Sequence, residues 1–108
     1  MRSESRLSSE SAAIRAVIPA EVASSIRALG ERLGVRNIRV FGSHARGDAR
    51  ADSDLDLLVE YVPGHGGFAF IEFCQRVEEL LGRDVDVVTE KSLHPIIRDK
   101  VLAEALPL

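Results

Sequence analysis

The chain has 108 residues, 45% of them apolar and 29% charged, with a formal net charge of -3 and a pI near 5.6. That balance fits one soluble globular domain and excludes a disordered chain, while the weak acidity excludes a global basic footprint, so no direct nucleic-acid binding is expected. No apolar run of about 18 residues occurs, the polar N-terminus lacks the apolar core of a signal peptide, and the single cysteine, Cys74, rules out an internal disulfide; the expected address is a reducing cytoplasm, with no membrane.

Residues 1–11 (MRSESRLSSES) are serine-rich and read as a flexible tail, leaving residues 12–108 as a single domain. A helical turn fits around Ala12–Ile18. Val22, Ile26, Leu29 and Leu33 then recur at the spacing of one helix face, with Pro19 suited to the first turn and Gly34 to the stop. Val35–Phe41 is rich in β-branched residues and predicts a strand ending at Gly42-Ser43. Residues 43–50 are small and charged and suit a short helix or turn. Asp54–Tyr61 predicts a second strand, followed by a glycine-rich loop at Pro63–Gly67. Phe70, Phe73, Cys74, Val77, Leu80 and Leu81 have helical spacing, and Gly82 stops that helix. Asp84–Thr89 predicts a third strand. Ser92 or a neighbour caps a last helix, with Pro95 in its first turn and Ile97, Val101 and Ala105 on one face.

The second and third strands and the helix between them make a β-α-β unit, so these strands should be parallel neighbours with a right-handed crossover. The link between the first two strands is too short for such a crossover and predicts antiparallel pairing. The expected fold is α/β: a small mixed sheet of three or more strands with helices packed on it.

Four aspartates crowd the stretch GSHARGDARADSDLDLLVE, residues 42–60. Asp48 and Asp52 sit in a polar loop among Arg46, Arg50 and Ser53, where local pairing or capping accounts for them. Asp54 and Asp56 alternate with leucines at a strand. Residues two apart share a strand face, about 6.6 Å apart along the chain, so these carboxylates should stand together while Leu55 and Leu57 enter the core. Unpaired like charges held this way repel and resist desolvation. A divalent cation removes both difficulties, and Mg²⁺ favours a few carboxylates completed by water and phosphate oxygens. Asp84 and Asp86 repeat the pattern on the third strand. Asp86, between valines, is the better candidate to join Asp54 and Asp56; Asp84, at the strand entrance, leans structural. Three converging acids could hold two ions ~3.5–4 Å apart, the arrangement that clamps both oxygens of an in-line phosphoryl displacement.

Gly42-Ser43 supplies a complementary feature. A glycine lets backbone approach a phosphate closely, and successive N–H groups at a turn cradle anions, with the Ser43 hydroxyl as a further donor. A phosphate-binding turn beside metal-binding acids points to a nucleoside triphosphate with Mg²⁺.

Gly42-Ser43, ten residues, then Asp54-Leu55-Asp56 resembles the GS-x10-DxD signature of polymerase-β-like nucleotidyltransferases. The wider block from Phe41 to Gly47 and from Ser53 to Leu57 resembles the minimal nucleotidyltransferase (MNT) family, and Val85–Thr89 resembles that family's third-acid strand. The resemblance spans roughly residues 20–106. It implies a polymerase-β-like nucleotidyltransferase fold and attack of a hydroxyl on the α-phosphorus of ATP with loss of pyrophosphate. By the same resemblance, Asp54, Asp56 and Asp86 hold Mg²⁺, in the two-ion form, Asp86 accepts the nucleophile's proton, and Gly42 and Ser43 hold the β/γ-phosphates. Arg46 pairs with phosphate or positions the turn. MNT proteins are also antitoxins of HEPN-domain ribonuclease toxins and transfer AMP to a toxin tyrosine. The short chain, without room for an acceptor lobe, agrees with an acceptor on a partner protein.

Simpler roles are expected elsewhere. Ser43 could also cap a short helix. Arg46 divides between a phosphate contact and a salt bridge. His44, His65 and His94 lack metal-ligand spacing and suit the surface, although His65 lies in a loop that could close over a base. Cys74, Tyr61 and the four phenylalanines suit the core, and Lys91 a solvated position. Two rival functions remain: a small-molecule nucleotidyltransferase of the aminoglycoside type, and a non-catalytic antitoxin that masks its partner.

Overall fold

The computed structural model describes residues 12–62, 64 and 66–108; the expected tail at residues 1–11 lies outside them, as do Pro63 and His65. Helix α1 covers residues 12–17 and α2 covers Ala20–Leu33. Strand β1 (Val35–Phe41) leads into a one-turn helix, α3 (Ser43–Arg46), and then into β2 (Leu55–Tyr61). Helix α4 (Gly67–Leu81), β3 (Val85–Thr89), a 3-10 turn (Glu90–Ser92), α5 (Pro95–Glu104) and a two-residue β4 (Leu106–Pro107) complete the chain.

The sheet order is β3-β2-β1-β4. As expected from the connections, β2 and β3 are parallel, joined through α4, and β1 and β2 are antiparallel. Strand β4 was not expected. Two residues ending in proline carry no strand periodicity, and only the antiparallel pairing of Val40 with Leu106 and Arg39 with Pro107 makes them a strand.

The two faces of the sheet differ. Leu55, Leu57 and Val59 of β2 are fully buried against Ile14 of α1, Ile18 in the bend after it, Ile26 of α2, and Phe73 and Val77 of α4. On the other face Leu58 forms a smaller cluster with Leu93 and Val101, joined by Phe41, Val88 and Ala105. Because side chains alternate along a strand, Asp56 shares a face with Leu58, and Asp86 with Val88. The acids therefore lie on the face that α5 covers beyond them.

Helix α2 keeps the expected face, centred differently: Ile26 is fully buried with Ala23 and Gly30, whereas Val22, Leu29 and Leu33 are half-buried. Gly34 ends it in the left-handed conformation, φ 83°, and Gly82 ends α4 likewise at φ 64°. Gly30 allows α2 to touch β1: a Cβ there would meet the Val35 carbonyl oxygen and lie 3.1 Å from Cδ1 of Ile38. Gly30→Ala, helpful to an isolated helix, is expected here to destabilise the fold by about 1–3 kcal/mol through overpacking. A thermal melt checks it, and an unchanged or raised midpoint would show that the two elements can separate.

Of Ser92 and its neighbours, His94 is the residue that caps α5: its Nδ1 accepts the Ile96 N–H at 3.2 Å, while Ser92 bonds back to Thr89 within the 3-10 turn. Two expectations change. On α5 only Val101 is buried, and Ile97 remains 47% exposed. Phe68 is 90% exposed, against the expectation of a core aromatic, because it occupies the first turn of α4 before the helix reaches the sheet. Tyr61 and Phe70 do pack, edge to face at 5.2 Å. Among the described residues no helix is long and apolar enough to cross a membrane.

Candidate active site

Asp56 is the pivot of the site. It is Cα-paired with Phe41 of β1 on one side and with Asp86 of β3 on the other. The first pairing brings the end of β1, and hence the turn that follows it, to the Asp56 carboxylate. The second sets Asp86 beside it across the parallel ladder. Asp54 lies just ahead of β2 rather than within it, and is exposed, as is Asp86; Asp56 is half-buried.

The three acids act on one another. Burial pushes the Asp56 carboxyl above its ordinary pKa, the charges of Asp86 and Asp54 raise it further, and His44 and Arg46 oppose the rise. The same trio that the sequence singles out thus surrounds one electrostatically loaded carboxylate. Among the described residues no group of three or more His, Cys, Asp or Glu side chains is gathered closely enough to hold a metal ion. Asp54, Asp56 and Asp86 nonetheless offer hard carboxylate oxygens, the donor type that Mg²⁺ takes together with water and phosphate oxygens.

The turn after β1 is built around Gly42. Its φ of 79° and ψ of -155° lie in a region that essentially only glycine occupies, and a Cβ would collide with Oδ2 of Asp56. The Gly42 carbonyl accepts the N–H groups of Ala45 and Arg46, both at 3.1 Å, and the Ser43 carbonyl accepts those of Gly47 and Asp48 at 3.0 and 3.1 Å. Ser43 thereby opens α3 directly beside Asp56. Turn and acids, with ten residues intervening between Ser43 and Asp54, meet at one end of the sheet.

Arg46 is held in this structure. Its Nη1 pairs with Oε2 of Glu104 at 3.1 Å, and its Nε with Oδ2 of Asp48 at 3.3 Å. The Glu104 and Asp48 bonds raise the Arg46 pKa, so the guanidinium is charged throughout the accessible pH range. Asp48 accordingly has the local arginine partner expected of it. Glu104 was not anticipated. It also accepts the Gly42 N–H at 3.1 Å, and its side chain is only 17% exposed. One signal was available: an acid in the last turn of a helix opposes the helix dipole, so it needs a partner elsewhere in the fold.

His44 needs correction. It is 8% exposed rather than on the surface, and its Nε2 lies 3.3 Å from the Ser53 carbonyl, which Arg83 also contacts. Its place on α3, with the buried Ala45, turns it inward. His94 is exposed, as expected. Cys74 is half-buried, and burial raises its thiol pKa, so it is a poor nucleophile. Asp84 and Lys91 are exposed and outside the cluster around Asp56.

Known proteins resemble this chain in sequence and fold. The model of the nucleotidyltransferase domain matches residues 22–107. The protein adenylyltransferase MntA of Thermococcus cleftensis is 46% identical over 78 residues, 72% of this chain and 79% of the relative. A provisionally named protein adenylyltransferase of Methanocaldococcus jannaschii is 40% identical over 73 residues, 68% of this chain and 78% of the relative. A solved structure provisionally named a minimal nucleotidyltransferase superposes with a TM-score of 0.72 at 45% identity, over 80% of this chain and 88% of that one. A toxin–antitoxin crystallised with AMP-PNP has the same fold, with a TM-score of 0.63 at 24% identity over 79% and 70% of the two chains. The sheet register, the turn that only glycine can make and these relatives agree: the chain belongs to the nucleotidyltransferase domain family and is a nucleotidyltransferase.

Proposed function

We propose that the protein transfers AMP from ATP to a hydroxyl of a partner protein in the cytoplasm, and that the partner is a HEPN-domain ribonuclease toxin silenced on a tyrosine. The observation that carries the reading is the position of Asp56, with the Gly42-Ser43 turn on one flank and Asp86 on the other. The relative named a protein adenylyltransferase, at 46% identity, supports a protein as acceptor.

In this reading Gly42 and Ser43 hold the β/γ-phosphates and Arg46 supplies positive charge beside them. Asp54, Asp56 and Asp86 would hold two Mg²⁺ ions, which when bound neutralise charge on the attacking and leaving oxygens. Asp86, exposed at the rim, accepts the proton of the acceptor hydroxyl. The hydroxyl oxygen bonds to the α-phosphorus as the bond to the bridging oxygen breaks, and pyrophosphate leaves. The acids lie on an open strand end, which a tyrosine presented by another protein can reach.

Incubation with α-labelled ATP and Mg²⁺ in an extract of the source cells tests the reading. Label is expected in one protein band and absent with Asp54→Asn. Label confined to small products would favour a small-molecule acceptor instead. Toxin neutralisation by an inactive Asp56→Asn protein would replace catalysis with simple masking.

A further inference from the structure

Glu104 is an acid at the turn that the proposed chemistry does not use, and unlike Asp48 it comes from a distant part of the chain. It reaches the turn from the end of α5, and two interactions fix it there. Its Oε1 accepts the Gly42 N–H at 3.1 Å, and both its oxygens face Arg46 Nη1, at 3.3 and 3.1 Å. The carboxylate thus ties the backbone at the start of the turn to the guanidinium at its end. Its own position is set by the chain that follows. Strand β4 pairs Leu106 with Val40, and the Leu108 N–H donates to the Ile38 carbonyl at 3.0 Å. Arg15 of α1 bonds to the Leu108 carbonyl, anchoring that end to the main core. A two-residue strand contributes little to the sheet by itself; its consequence is to hold Glu104 opposite Gly42.

We infer that Glu104 is a positioning residue that sets the Gly42-Ser43 turn and the Arg46 guanidinium in the geometry that receives the triphosphate. This rests on the nucleotide-binding role proposed above for the turn. Gly42 occupies a backbone region with no steric preference for its present shape, so the turn needs an outside acceptor to fix it. Arg46 is a long side chain with many rotamers, and a half-buried carboxylate partner restricts them before the nucleotide arrives. Because Arg46 Nη2 and the Ser43 hydroxyl take part in neither the Glu104 nor the Asp48 bonds, they stay available to phosphate oxygens.

The test compares wild type, Glu104→Ala and Glu104→Gln. Amide hydrogen exchange at Gly42 is measured without ligand, and affinities for MgATP and for AMP by calorimetry, all well below each melting point. In Glu104→Ala, exchange at Gly42 should accelerate and MgATP affinity fall, each about tenfold, the value of one hydrogen bond to a charged group. AMP, without β/γ-phosphates, should bind within about twofold of wild type. Glu104→Gln keeps an oxygen for Gly42 but loses the ion pair, so it should retain Gly42 protection and bind MgATP with intermediate affinity. Unchanged exchange and affinity in Glu104→Ala overturn the inference. So does equal weakening of MgATP and AMP, which marks general damage to the fold. Tighter MgATP binding overturns it as well, since Glu104 would then compete with phosphate. Wild type that binds no MgATP overturns the nucleotidyl-transfer reading itself, whatever Gly42 exchange reports.

Discussion

Asp56→Asn is expected to abolish AMP transfer, by at least ~10³-fold, while making the metal-free protein more stable at neutral pH. The two effects share one cause. Burial and the charges of Asp86 and Asp54 raise the Asp56 pKa, so the ionised carboxylate is disfavoured in the folded chain relative to the unfolded one. Above the raised pKa the wild type carries this penalty, and asparagine removes it. As pH falls through the raised pKa, Asp56 takes up its proton and the penalty disappears. Below the ordinary carboxylate range both proteins present a neutral side chain. The stability gain should therefore be largest at neutral pH and vanish on acidification. Asp56 is half-exposed, and screening limits the gain to under about 1 kcal/mol. For a domain of this size that is a few degrees of melting temperature, at ~4–8 °C per kcal/mol. Added Mg²⁺ should stabilise the wild type more than the variant and narrow or reverse the difference. Calorimetry in EDTA and in Mg²⁺, from neutral to acid pH, provides the check. A variant less stable than wild type in EDTA at neutral pH would mean that Asp56 has a stabilising partner and is no strained ligand.

Gly42→Ala is expected to fail for a different reason. The backbone there, φ 79° and ψ -155°, is costly for any residue with a Cβ, by about 1–3 kcal/mol, and the added methyl would push Oδ2 of Asp56 out of place. Both the fold and nucleotide binding should suffer, with MgATP affinity falling below detection in calorimetry. Gly47→Ala is the matched control. Gly47 also has a positive φ, 82°, but its Cβ would meet nothing within 4 Å. It should lose about 1 kcal/mol of stability and keep MgATP affinity. Equal nucleotide binding by the two variants would separate the Gly42 turn from the phosphate site.

The sheet was largely legible from local pattern. Valine-rich runs marked β1 and β3 and a leucine-rich run marked β2, and the lengths of their connections dictated which pairs run parallel. The candidate acids were legible because carboxylates alternating with leucine and valine are costly without a ligand, a conflict visible in one dimension. His44 was misread because a four-residue helix is too short to show a buried face by periodicity. Gly30 looked like a weak helix residue, and only the approach of β1 explains it.

Composition and spacing alone determined the α/β fold class, the glycine-serine turn and the pair of aspartates that follow it after ten intervening residues, since each depends on neighbours in the chain. Tertiary structure decided what those residues face. The parallel register set Asp86 opposite Asp56, while Asp84, two residues earlier and thus of the same alternation, falls just outside β3 and beyond that pairing. It also brought Glu104 to Gly42 and Arg46 across 62 and 58 residues, through a two-residue strand with no signature of its own. Contacts of that separation arise from how elements pack, and no local pattern records them.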